Sequence, residues 1–399
     1  MRRRAFLGGS LTVLAAALAS RRARASVDRQ LLVYWVSGGW DPTFVFDPHL
    51  DSDVIVSDDT ATLADIGGLP IVDASTRPAV RTFFEAWAPR TVLFNGLAVG
   101  SISHDACTRL MLTGQRSGLD PDVATRIAAA TGSDRILPHV VLGGPRFSGS
   151  HGALVSLVSP TFVAVAGGTV PGVRDAAREE RVRAWLAEEV AAGSVPDATF
   201  SDGLARLPDL EKFAAEFEAH DLSQEAGRMA VAARLLASGA SRSVLIQGSA
   251  ANLAQWDSHQ MNGLNQAASF EHLFGNLSTL MALLAATDGP SGGKLSESTD
   301  LLVLSEMGRQ PTLNGDQGKD HWPITSAMLV SPACSGGRVV GGTDGTLAPL
   351  AVDLASGELA AAGEVLTAGN LIATMVAGYD LDPGEWAAGE TPIGCVWAD

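Results

Sequence analysis

Short apolar runs alternate along this chain with segments of helical period, and that alternation limits the folds open to it. Leu31–Val36, Thr91–Phe94, Val140–Leu142, Val244–Gln247, Leu301–Leu304 and Met328–Val330 read as buried strands. Residues 178–191, 209–237 and 266–286 carry apolar side chains near a 3.6-residue repeat and read as helices. Phe270, Leu273 and Met281 in the last of these read as core. Such an order predicts an α/β fold: a mostly parallel central sheet with helices on both faces. Residues 175–240 are richer in helix and charge than their surroundings and are a candidate helical cap insertion. With 46% hydrophobic residues, the chain has material for one large core.

In open α/β sheets, sites form beyond the carboxyl ends of the strands. Several of the predicted strands lead directly into residues with chemistry. Leu301–Leu304 runs into Ser305, Glu306 and Arg309, and the following loop ends in Asp320–His321. Leu31–Val36 runs into Ser37-Gly38-Gly39-Trp40-Asp41-Pro42. The segment after Val244–Gln247 carries Trp256-Asp257-Ser258-His259. Ser103 is placed to cap a short helix that begins with His104, whose free N–H groups would face an anion. Asp41, Asp257, His259, Glu306, Asp320 and His321 are therefore candidate ligands for a divalent metal (zinc, manganese or calcium). His104 is a candidate nucleophile or general acid, with Ser103 beside it, and Arg309 a candidate clamp for an anionic oxygen. Each has an ordinary structural alternative. Asp41 can cap a turn before Pro42, Arg309 can pair with a nearby acid, and Asp320–His321 can simply cap the segment before Trp322–Pro323.

No G-x-S-x-G elbow, P-loop or G-x-G-x-x-G is present, which weighs against simple serine-hydrolase and nucleotide-binding readings. Cys107, Cys334 and Cys395 have no CxxC spacing, so a thiolate zinc site is disfavoured.

The first 25 residues read as a twin-arginine export signal. Arg3-Arg4-Ala5-Phe6-Leu7 precedes a short apolar stretch, Leu11–Ala19, and Ala23-Arg24-Ala25 offers a cleavage site. The stretch is too short and Ala-rich for a stable membrane span. The expectation is a mature chain of residues 26–399 forming a single domain, periplasmic or secreted. Removing the six Arg of residues 1–25 takes the formal charge of −16 to −22. So acidic a surface weighs against nucleic acid and anionic membranes as partners. It leaves a small anionic substrate, an extracytoplasmic polymer or a protein partner.

Taken together, Ser37–Asp41, Ser103–His104, Trp256–His259, Ser305–Arg309 and Asn314–Pro323 resemble a twin-arginine-exported bacterial family, catalogued as domain of unknown function 1501. That family is placed in the alkaline phosphatase and sulfatase superfamily. The resemblance implies an alkaline-phosphatase-like fold and a metal-dependent hydrolase of phosphate or sulfate esters. Asp41 would match the first-strand metal Asp of those enzymes. Asp257 and His259 would match the mid-chain pair, Glu306 the strand-end acid and His321 the last metal His. The stretch His104–Gly114 is similar to the sulfatase nucleophile helix, but with His104 at the nucleophile and Cys107 at the following Ser. Met307 stands where a second metal's His would be, and a thioether is a poor ligand for a hard divalent ion. These departures leave a non-catalytic extracytoplasmic binding or assembly protein as the alternative.

Overall fold

The computed structural model describes residues 29–159, 213–251 and 254–398, with isolated positions between 160 and 212. The predicted signal, most of the predicted helix 178–191 and part of the candidate insertion lie outside these residues.

The frame is an eight-stranded sheet. In chain order its strands are β1 (Gln30–Val36), β2 (Thr91–Ala98), β3 (His139–Leu142), β4 (Val155–Leu157), β5 (Ser243–Gly248), β6 (Thr299–Ser305), β7 (Ile324–Val330) and β8 (Arg338–Gly341). They lie side by side as β8-β2-β7-β6-β1-β5-β3-β4. All pairings are parallel except those of β7, which runs antiparallel to both β2 and β6. β1 is central and every one of its residues is buried, the pattern of a strand covered on both faces.

Because side chains alternate across a strand, β1 feeds two cores. Leu32, Tyr34 and Val36 pack on one face with helices α1 (Pro78–Trp87), α4 (Glu225–Ala237) and α5 (Asn262–Ala286), through Phe83, Phe84, Leu235, Phe270 and Phe274. Leu31, Val33 and Trp35 pack on the other face. There they meet α2 (His104–Thr113), α3 (Val123–Thr131) and α6 (Ala368–Ala377), through Met111, Ile127, Leu371 and Met375. The structure is thus the α/β arrangement expected, with Phe270, Leu273 and Met281 in the core.

Local chemistry adjusts the predicted elements. The helix expected over 209–237 is broken: Ala214–Glu218 is one short helix and α4 a separate one. Between them the Asp221 carboxylate accepts from Ser223 N and Oγ, a side-chain turn that competes with helix. α4 buries Val231, Leu235 and Leu236 in the main core. The end of the expected cap insertion therefore belongs to the helical layer on the sheet. α6, in a tail with little visible pattern, is buried along its length and opens with a capping box between Thr367 and Asn370. Cys107, Cys334 and Cys395 are free thiols. Among the described residues no helix is long and apolar enough to cross a membrane.

Candidate metal centre

Parallel strands deliver their following loops to one edge of the sheet, and the antiparallel β7 begins at that same edge. The segments after β1, β2, β5 and β6 meet there the segment before β7. His321 is fixed by a two-residue ladder in which His321 pairs with Arg309 and Trp322 with Gly308. His104 stands at the first position of α2, after a Ser103 that holds the N-cap conformation without a side-chain cap bond. Asn314 knits the loop before β7. Its Nδ2 donates to His259 O at 3.0 Å and to Asp320 Oδ1 at 3.3 Å, while its Oδ1 accepts from Asp316 N and Gly318 N.

Three imidazoles converge on Asp257. His321 Nε2 lies 3.1 Å from Asp257 Oδ1, His259 Nε2 3.2 Å from the same oxygen, and His104 Nε2 3.3 Å from Oδ2. The ligand atoms of His104, Asp257 and His321 all lie within 4.8 Å of one another. In each ring the other nitrogen is held from outside. His104 Nδ1 lies 2.8 Å from Glu306 Oε1, His259 Nδ1 2.9 Å from Asp320 Oδ1, and His321 Nδ1 donates to the carbonyl of Ile102 at 2.7 Å. A carbonyl or carboxylate oxygen accepts, so the Nδ1 atoms carry hydrogen, and in a neutral ring the Nε2 lone pair points inward. This is the outer arrangement that metal-binding histidines commonly have.

One contact makes the case sharper. His259 Nε2 and His321 Nε2 are 2.9 Å apart. Two inward lone pairs at that distance repel, and either a proton shared between the two rings or a metal cation beside them relieves the repulsion. One carboxylate and neutral imidazole nitrogens are borderline donors suited to zinc or manganese, and their mutual spacing matches bonds near 2.1 Å to one ion. The residues present fit such an ion.

The electrostatics favour a charged Asp257. Burial pushes its carboxyl up, but the Arg309 hydrogen bond and charge, with His321 and His104, overcome this and hold it down to about 2. The Glu306 hydrogen bond raises the pKa of His104, against burial. The hydrogen bonds from His259 and Asn314 lower that of Asp320.

Several predicted residues take other places. Glu306 is fully buried and holds His104 and Gly38 N rather than facing the centre, with Gly38 N at 2.7 Å from Oε1. Asp320 is likewise an outer partner, through His259. Arg309, expected to clamp an anion, is fully buried and spends its donors internally. It binds Asp257 Oδ1 at 2.6 Å, Gly39 O at 2.8 Å and Lys319 O at 3.1 Å, and it also donates to Gly38 O. Its role is to hold Asp257 against the β1 loop. Asp41, expected as the first-strand ligand, is buried apart from the imidazoles and binds the ammonium of Lys319 at 2.7 Å. Met307 packs in the core. Cys107 is buried, its thiol pushed up to about 11, so it stays neutral.

Lys319, Asn262 and the Ile102 carbonyl were not singled out by the sequence. Lys319 adjoins Asp320–His321, but nothing local marks a lysine as buried, and a backbone carbonyl has no sequence signature.

No curated protein matches the sequence. Among solved structures, the crystal structure of the PsFucS1 sulfatase from Pseudoalteromonas sp. aligns with 95% of this chain and 76% of its own, at 9% identity and a TM-score of 0.43. BT4656, solved in complex with its substrate D-glucosamine-2-N,6-O-disulfate, aligns with 93% of this chain and 82% of its own, at 10% identity and a TM-score of 0.36. The phosphonate monoester hydrolase of Agrobacterium radiobacter aligns with 93% and 79%, at 12% identity and a TM-score of 0.34. A family profile described as "Protein of unknown function (DUF1501)" matches residues 201–390, the part of the chain that carries Asp257, His259, Glu306, Arg309, Asp320 and His321.

Proposed function

We propose that this protein is an exported, alkaline-phosphatase-like hydrolase that uses one divalent metal ion to cleave an anionic ester, a phosphate or a sulfate. The observation that carries the reading is the meeting of three outwardly anchored imidazoles on Asp257, with two Nε2 atoms 2.9 Å apart. Export rests on the twin-arginine pattern at Arg3–Arg4.

Asp257, His259 and His321 would hold the ion, because their donor atoms lie 2.9–3.2 Å from one another. A divalent ion there supplies Lewis-acid polarisation of an ester oxygen and acidifies water. His104 is the proton carrier: its Nδ1 is fixed by Glu306, its raised pKa keeps a proton available, and its Nε2 faces the centre. Backbone N–H groups in the first turn of α2 would face the anionic group. Arg309 acts from behind, by orienting Asp257.

The test is metal analysis of protein purified after native export, with hydrolysis of p-nitrophenyl phosphate and p-nitrophenyl sulfate. Roughly one zinc or manganese per chain is expected, with turnover lost on chelation and in Asp257→Ala. Folded protein that is metal-free and inactive on both esters would overturn the reading. That result would favour the second one, a non-catalytic extracytoplasmic binding or assembly protein. Its support is the helix that carries His104, where the Cys107 thiol is buried and neutral.

A further inference from the structure

The carboxylate expected to ligate a metal at the end of the first strand is already saturated. Asp41 Oδ1 accepts from Thr43 N at 3.2 Å and Thr43 Oγ1 at 2.7 Å. Asp41 Oδ2 accepts from Asn262 Nδ2 at 3.0 Å and from Lys319 Nζ at 2.7 Å. Both side chains of the Asp41–Lys319 pair are fully buried. An ionised carboxylate in such a place needs a positive partner, and a buried ammonium needs a negative one. Four donors fill the four lone-pair directions of a carboxylate, leaving none for an ion.

We infer that Lys319 is the permanent counter-cation of Asp41, that the saturated Asp41 takes no metal, and that Lys319 is a positioning residue for the single-metal centre. The surrounding network shows how the position matters. Lys319 N donates to Ser258 O at 3.0 Å, and Lys319 O accepts from Arg309 Nη1 at 3.1 Å. Ser258 Oγ bonds Asn262 Oδ1 at 2.6 Å and accepts from Gln266 Nε2 at 2.9 Å, and Gln266 Oε1 accepts from Asp41 N at 2.8 Å. The pair thus ties four segments together: the β1 loop, the strap that carries Lys319, the Asp257–His259 segment and the start of α5. Lys319 also sits two residues before His321, on the strap that delivers it. A point charge on a flexible stem, fully enclosed, does in one covalent piece what a bound ion does elsewhere.

The inference rests on the metal reading above, and the experiment separates the two. Zinc binding is measured by equilibrium titration and by bound-metal content for the wild-type chain, Asp41→Asn, Lys319→Met and the double variant, with thermal unfolding of all four in the metal-free state. The expected result is one zinc per chain in wild type and in Asp41→Asn, with affinity in the latter lowered about 10–100-fold, as for loss of an outer partner. Each single variant should lower the melting temperature. The double variant should lie well above the sum of the two losses, the sign of a direct charge pair. Two zinc ions in wild type with one lost in Asp41→Asn, or additive melting losses, would overturn the inference. Should a single variant fail to fold, the double variant against wild type still reads zinc stoichiometry, and loss of a zinc there is equally fatal. Wild type without any metal would defeat the hydrolase reading instead, while the melting cycle still decides the Asp41–Lys319 pairing.

Discussion

Arg309 and Asp257 form an unequal ion pair: Nη2 and Oδ1 are 2.6 Å apart, yet the guanidinium is wholly buried while the carboxylate is 42% exposed. The arginine reaches Asp257 from inside the protein, and Asp257 carries the charge outward to the imidazoles. Support comes from below and ligands gather above.

Asp257→Asn should therefore do two things. It removes the anionic donor, and zinc affinity should fall at least 100-fold in competition with a chelator, beyond the 10–100-fold typical of losing an outer partner. It also leaves the Arg309 charge without its carboxylate. In metal-free protein the native Asp257 pKa is depressed from 3.8 to about 2, so its contribution to stability is present above pH 3.8 and lost as pH falls toward about 2. Denaturant unfolding should show the wild-type advantage over Asp257→Asn constant at neutral pH and shrinking across that acid range. An advantage that persists at pH 2 would contradict the pairing.

Glu306→Gln should shift the titration of His104. The hydrogen bond that His104 donates to Glu306 raises the His104 pKa above 6.5, so the protonated ring stabilises the metal-free fold fully below pH 6.5 and that contribution is lost as pH rises through the raised value. The variant should bring the His104 midpoint back down, read from its imidazole proton shifts. An unmoved midpoint would mean that Glu306 does not govern His104.

Gly38→Ala should damage the centre from outside it. Gly38 has φ +123°, and a Cβ there would lie 2.8 Å from both Asp257 N and Trp256 Cβ. Backbone strain alone costs about 1–3 kcal/mol. The contact would also push Asp257 from its imidazoles, so weakened zinc binding should accompany the lower melting temperature. A variant as stable as wild type with unchanged zinc affinity would show that the Gly38 loop does not position Asp257.

Much of the frame was legible because burial leaves a local imprint. Val244–Gln247 and Leu301–Leu304 mark strands β5 and β6 within a residue or two of their ends, since a strand covered on both faces must be apolar throughout. β4 and β8 were not legible, being three and four residues long with partly exposed side chains. The helix break at Asp221 was missed because one side-chain turn outweighs a continuing apolar period.

For the centre, the sequence by itself supplied the candidates: strand-end position points to Asp41, His104, Asp257, His259, Glu306, Arg309, Asp320 and His321 alike. Only the tertiary structure decided their ranks. It turned Asp257 and three Nε2 atoms inward, set Glu306, Asp320 and the Ile102 carbonyl behind the rings, and gave Asp41 to Lys319. A role in such a cluster depends on which lone pair faces which atom across more than 200 residues of chain, as between Asp41 and Asn262. Periodicity and spacing report only on neighbours, whereas the direction of a lone pair is settled by packing.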